Sequence, residues 1–414
     1  MTLTEKYNKW LEVFEKYFIV EGDAKTISGL NIPLSQVSFV DGEALQSIVG
    51  DGTINIAGYL NFLFSNLIGA KDNISYEKYT DKILNTLKTI ERLEEAAYLS
   101  FIEKYNIQGT NLPFSIVKGF FLRDDIRDKD KSMFNTHKII SSYSRCIELI
   151  DEDPCHSPYT SQDQIWNLLP ILSILSKFAG GDISVLAREK ANDMLKYVIE
   201  HNHKIYNPFY STLYHFWTYL PTFDESRVKP WDRIKDRTKK LKYKIKVKRG
   251  ANNWYFGFGF RKAYENITNN KLPKFKNFLY GLWYRPFIFL ADRIYYPIFG
   301  NIVPRKETSY YSLGLAGNVW YGPGYDKRLI DRFNYTLKKW SQDKKTELFM
   351  PELVFLSDKR DKINHDLLET WLNEYPEPEL SGTVNSPLTF LMLYRWNQNK
   401  KEDIYDRDIN KTNS

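Results

Sequence analysis

Side chains able to do acid–base chemistry or to hold a sugar gather in four short loops of this 414-residue chain. The first is Phe39-Val40-Asp41-Gly42-Glu43, running on to Gly50-Asp51-Gly52-Thr53 just ahead of a strongly apolar segment. Asp-Gly followed by Thr at a helix start reads as a turn and an N-cap. That reading leaves a second one open. A carboxylate at the mouth of a helical array also points into its centre. The second loop, Lys118-Gly119-Phe120-Phe121-Leu122-Arg123-Asp124-Asp125-Ile126, sets two acids beside an arginine. Neighbouring side chains differ in direction, so one carboxylate pairs with Arg123 while the other faces a substrate. Arginine beside one acid and apolar groups beside the other give the asymmetry that general acid–base catalysis needs. A surface turn knitted by a local ion pair would carry the same residues.

The third loop is Cys155-His156-Ser157-Pro158-Tyr159-Thr160-Ser161-Gln162-Asp163-Gln164-Ile165-Trp166. Ser161 and Gln164 have capping-box spacing, and Asp163 falls in the first turn, where the helix dipole favours a negative charge. Capping accounts for Ser161 and Asp163 but not for His156, Tyr159 and Trp166 at the same helix entrance. His156, Tyr159, Asp163 and Trp166 are therefore candidate substrate contacts. His156 has no His or Cys at ligand spacing beyond the adjacent Cys155, so no metal is expected. The fourth loop, Arg249-Gly250-Ala251-Asn252-Asn253-Trp254, heads an aromatic segment. Arg249, Asn252 and Trp254 suit sugar carboxylates, hydroxyls and ring faces. Gly257-Phe258-Gly259 follows no strand, lacks the nucleotide-binding context, and implies no cofactor.

Helical periodicity dominates the elements that must position these loops. Ile54 to Ile68 is apolar almost all round, as an inner, buried helix should be. Lys78 to Tyr105 is more polar, with Ile83, Leu87, Ile90, Leu93 and Ala97 at helical spacing, as an outer helix should be. The alternation returns in Asp163 to Phe178 and Ile183 to Asn202. It continues through Trp254 to Thr268, Lys274 to Arg293, Ser309 to Val319 and Tyr325 to Ser341. Met350 to Ser357, His365 to Tyr375 and Pro387 to Trp396 complete it. Lys239 to Lys248 alternates lysine with apolar residues, the pattern of a charged edge hairpin. The reading is one all-α domain over residues 1–399 with a small β-hairpin insertion near 221–249, followed by a charged flexible tail at 400–414.

Composition removes several classes. Net charge is +7, from 58 basic and 51 acidic residues, and no zinc-finger, RRM or P-loop pattern occurs, which disfavours a nucleic-acid partner. Two cysteines, Cys146 and Cys155, make no disulfide framework. No apolar run reaches membrane-spanning length, since Phe278 to Phe299 is broken by Arg285, Pro286, Asp292 and Arg293. The first residues lack the basic and apolar regions of a signal peptide. A cytoplasmic or virion-associated location follows as the expectation, with no membrane partner and with a virion or homo-oligomeric assembly as a second kind of partner.

Gly50-Asp51-Gly52-Thr53, Gly119 to Asp125 and Ser161-Gln162-Asp163-Gln164, each leading toward a helix, together resemble (α/α)6-toroid proteins of the six-hairpin glycosidase type, including members from gut Bacteroidetes and their phages. The resemblance covers most of residues 30–400 as an alternation, and four short loops as motifs. It implies inner and outer helical rings around a cavity at one end. In that superfamily, unsaturated glucuronyl and rhamnogalacturonyl hydrolases use an aspartate as general acid–base, whereas the lyases use tyrosine or histidine. It carries the acid–base role to Asp125, with Asp51 as its partner and Asp124 beside it, and makes Arg123 a substrate contact. A glycoside hydrolase or polysaccharide lyase acting on carbohydrate is the leading expectation. A non-catalytic glycan-binding or virion-structural protein of the same fold is the alternative.

Overall fold

The apolar run from Ile54 forms the helix around which its neighbours pack. In a computed structural model the chain is described over residues 1–105, 118–134, 137–142, 160, 162–200, 263, 266–269, 325–344, 348, 354 and 360–401. Helices dominate these residues, and a small mixed sheet accompanies them. The helices are α1 (Leu3–Tyr17), α2 (Gly52–Ile68), α3 (Asn73–Tyr105), α4 (Gln162–Phe178), α5 (Gly181–Glu200), α6 (Tyr325–Asp343), α7 (His365–Glu374) and α8 (Leu388–Lys401). The strands are β1 (Gln36–Val40), β2 (Glu43–Ile48), β3 (Ile139–Ser141) and β4 (Gly382–Asn385). Of the other expected helices, Ala263, Asn266 to Thr268 and Val354 are helical where described. The hairpin near 221–249, the segments Lys274 to Arg293 and Ser309 to Val319, and residues 402–414 of the tail lie outside the described residues.

Two compact units make up the chain: Met1–Tyr197 with His365–Ser414, and Val198–Asn364. In the first, α2 packs against α3, α4 and α8. Burial on several sides explains why its sequence is apolar almost all round; Ile56, Leu60, Phe62, Leu63 and Leu67 are all in the core. Helix α1 opens with a Thr2–Glu5 capping box and lays Tyr7, Trp10 and Phe14 inward. The side chain of Lys6 donates to the carbonyls of Leu372, Asn373 and Tyr375, at and just past the end of α7. A cation there meets the negative end of the helix dipole and the last unbonded carbonyls. Trp10 Nε1 donates to Pro376 O at 2.9 Å, and Tyr7 stacks on Tyr394 of α8.

The sheet was not expected from the helical periodicity. Its order is β3-β2-β1-β4, antiparallel except for the β2–β3 pair. Asp41 and Gly42, expected in a loop, form the tight turn of the β1–β2 hairpin, both with positive φ (50° and 82°). Two successive left-handed residues match the right-handed twist of paired strands, and Asp-Gly is a favoured pair for such turns. Val37 and Phe39 of β1 and Ile139 of β3 are buried, while Ser38 and Thr383 bond to each other on the exposed face at 3.3 Å.

His137, just ahead of β3, is buried, and burial pulls its imidazole below the usual value against a hydrogen bond to the Lys16 carbonyl. The folded state therefore binds a proton at this site less readily than the unfolded chain does. Its contribution to stability is complete at pH 7 and declines as pH falls below the unfolded value of about 6.5. We expect unfolding free energy to fall between pH 7 and pH 5 more steeply in the wild type than in His137→Gln. Unfolding free energies, taken from urea denaturation at each pH, that fall equally in the two proteins would refute this.

In the Val198–Asn364 unit, α6 buries Ile330, Phe333, Leu337 and Trp340 along one stripe. Asn334 donates to Lys362 O and accepts from Asn364 N, fixing the helix to the 3-10 turn Arg360–Lys362. Tyr335, Lys338 and Lys339 lie on its exposed side. Among the described residues, no helix is long and apolar enough to cross a membrane.

Candidate functional site

The segment from Lys118 to Ile126 brings the expected acids together, because backbone contacts thread it between helices. Gly119 has φ +87°, and a Cβ there would lie 2.3 Å from Asp193 O of α5, so only glycine fits the crossing. Leu122 N donates to Leu93 O of α3, and Phe121 exchanges hydrogen bonds with Thr160. Phe120 stacks on Tyr197. At the other end, Arg123 O approaches the first residue of α2 so closely that a Cβ on Gly52 would sit 2.2 Å away. The start of α2 and the Arg123 backbone are thus held side by side.

Asp51 stands at the N-cap position of α2 without making a side-chain cap. Its Oδ1 instead accepts from Arg123 Nη1 at 2.7 Å and from Gln164 Nε2 at 3.1 Å. The carboxylate thereby ties the first turn of α4 and the 118–126 segment to α2, with 30% of its side chain still exposed. One sequence expectation shifts here: Arg123 pairs with Asp51 rather than with an adjacent acid. Ser161, the expected capping partner of Gln164, lies outside the described residues.

Asp125 and Asp124 are engaged elsewhere. Both Asp125 oxygens accept from Arg92 of α3, at 2.7 and 3.2 Å, and each partner's side chain is only 10% exposed. Arg92 also donates to the carbonyls of Ala24, Thr26, Gly29 and Leu30. That guanidinium closes the loop between α1 and β1 and locks Asp125 against it. Asp124 is fully buried, and its Oδ1 accepts from Ile126 N at 3.1 Å, a local turn.

Asp163 and Trp166 fall on α4, but only their backbone is described. His156, Tyr159, Arg249, Asn252 and Trp254 lie outside the described residues. Among the described residues, no group of His, Cys, Asp and Glu has the makings of a metal site.

A second charged cluster lies behind the 118–126 segment. Glu94 of α3 and Lys190 of α5 pair at 2.9 Å, and both are buried. Glu94 Oε1 accepts from Gly119 N at 3.1 Å, and Lys118 pairs with Asp193 and Glu189. Burial pushes the Glu94 carboxyl up despite the attraction of Lys190. Burial also pulls the Lys190 ammonium down, but Glu94, Glu91 and Asp193 more than offset this and leave it raised. The net direction for Lys190 follows from its being faced by three acids while Glu94 has one close cation. Compared with known proteins, no family model matches the chain, and neither a curated protein nor a solved structure is similar to it.

Proposed function

We propose that the chain binds carbohydrate on an (α/α) toroid scaffold of inner and outer helices and does not cleave it. The resemblance of its loops to six-hairpin proteins supports the ligand class. The observation that carries the non-catalytic reading is the engagement of Asp125, both of whose oxygens accept from Arg92. A carboxylate held so is not placed to give a proton to a leaving group. Asp124, fully buried in a local turn, is no better placed.

One observation favours the hydrolase or lyase alternative. Asp51 keeps 30% of its side chain exposed at the N-terminus of α2, beside an arginine and an amide. The test is a panel of neutral and uronate-containing polysaccharides, read by calorimetry for binding and by reducing-end and unsaturated-product assays for cleavage. Saturable binding without product is the expected result. Product that disappears in Asp51→Asn, with an unchanged melting temperature, would replace the binding reading with the enzyme. Neither binding nor product on any polysaccharide would count against both.

A further inference from the structure

Charge is divided very unevenly between the two compact units. Val198–Asn364 holds 32 Lys and Arg against 15 Asp and Glu, a net +17, while the rest of the chain holds 26 against 36, a net −10. The overall +7 hides this division. The basic run Arg237 to Arg249 supplies eight of the 32 cations, so the remaining 24 still outnumber the unit's acids. Aromatic residues are concentrated in the same place: 36 of the chain's 65 Phe, Tyr and Trp occur in these 167 residues.

Such a surplus has a direct physical consequence. Like charges on one unit repel and raise the local potential, attracting a polyanion and releasing its counterions on contact. On α6 the two features meet. Tyr335 is 52% exposed, and the exposed Lys338 and Lys339 follow it at three and four residues, on the same face of the helix. An exposed ring with two lysines one turn away on the same helix face matches a sugar ring that bears an acidic substituent.

We propose that the Val198–Asn364 unit binds an anionic polysaccharide, one whose sugars carry carboxylates or sulfates, with α6 forming part of the contact. The inference rests on the carbohydrate reading above and narrows its ligand class to the polyanionic glycans. In that contact the Tyr335 ring stacks on the apolar face of a sugar while Lys338 and Lys339 meet its acidic groups. Single-stranded nucleic acid shares the negative charge and the stacking. The sequence carries no zinc-finger, RRM or P-loop pattern and matches no family model, so the glycan of the carbohydrate reading is the occupant favoured here.

Fluorescence anisotropy on the full chain decides the matter, using labelled polygalacturonate, its methyl-esterified form, neutral mannan and a single-stranded oligonucleotide over a range of salt. Polygalacturonate should bind with an affinity that falls steeply as salt rises, and the methyl ester should bind at least tenfold more weakly. Lys338→Gln with Lys339→Gln should flatten the logarithmic salt dependence by about one to two units, and Tyr335→Ala should weaken binding without flattening it. Circular dichroism confirms that each variant stays folded; if the double variant does not, Lys338→Gln and Lys339→Gln are compared singly. An oligonucleotide that binds more tightly than polygalacturonate would overturn the inference in favour of nucleic acid. Binding of mannan with equal affinity would overturn it while leaving the carbohydrate reading standing. No binding of any probe would overturn both.

Discussion

Lys190→Ala should lower stability by about 3–5 kcal/mol, the loss typical of removing one partner from a buried ion pair. The change leaves Glu94, buried against α5 and bonded to the Gly119 amide, with no close cation. Lys118, the nearest other cation of this cluster, is paired with Asp193 and Glu189. Replacing both groups by apolar residues, as in Glu94→Leu with Lys190→Met, should recover most of the loss, because neither charge is then stranded. Urea denaturation followed by circular dichroism reads both effects. A single-variant loss under about 1 kcal/mol would show that water reaches the pair. The alkaline limb provides a second check. A lysine whose folded value is raised contributes stability below its unfolded value, about 10.4, and loses it as pH rises through the folded one. The wild type should therefore lose its advantage over the double variant as pH climbs past 10.4.

Arg92→Ala should do comparable damage through different chemistry, again about 3–5 kcal/mol from a stranded carboxylate and several unbonded carbonyls. Six hydrogen bonds from one guanidinium join α3 to four backbone carbonyls and to Asp125. Arg92→Lys should restore less than half, since an ammonium has three donors and no planar fork. In a double-mutant cycle with Asp125→Asn, the coupling should exceed about 1 kcal/mol. Coupling near zero, with full rescue by lysine, would reduce Asp125 to a bystander and reopen its candidacy as an acid.

These two residues mark the limit of what the sequence displays. Helix α2 was legible because all-round burial leaves an unbroken apolar run, and α3, α4, α6 and α7 were legible from their stripes. Asp41-Gly42 carried a turn signal between Phe39 and Ala44, but the short strands around it alternate weakly and read as loop. Gly382 to Asn385 becomes a strand only by pairing with β1, more than 300 residues earlier, and no local pattern announces that. Within the candidate site, the loops holding Asp51 and Arg123 were found, and their mutual pairing was not. Arg92, Glu94 and Lys190 look like ordinary charges on polar helices. Their roles depend on backbone carbonyls, amides and acids that only tertiary packing brings near.

The arrangement of α2 also sets an order of events during synthesis. Its apolar surface is covered by α3 and α4, made soon afterwards, and by α8, made only after the whole Val198–Asn364 unit. Strand β4 and helix α7, which holds α1 through Lys6, arrive equally late. A ribosome adding roughly 5–20 residues per second takes on the order of ten seconds or more to cross the intervening segment. Throughout that interval α2 has one side uncovered, sticky to any other nascent chain. Translation speed across the basic unit, and chaperone occupancy of the waiting helix, should therefore govern how much of this protein reaches its folded state.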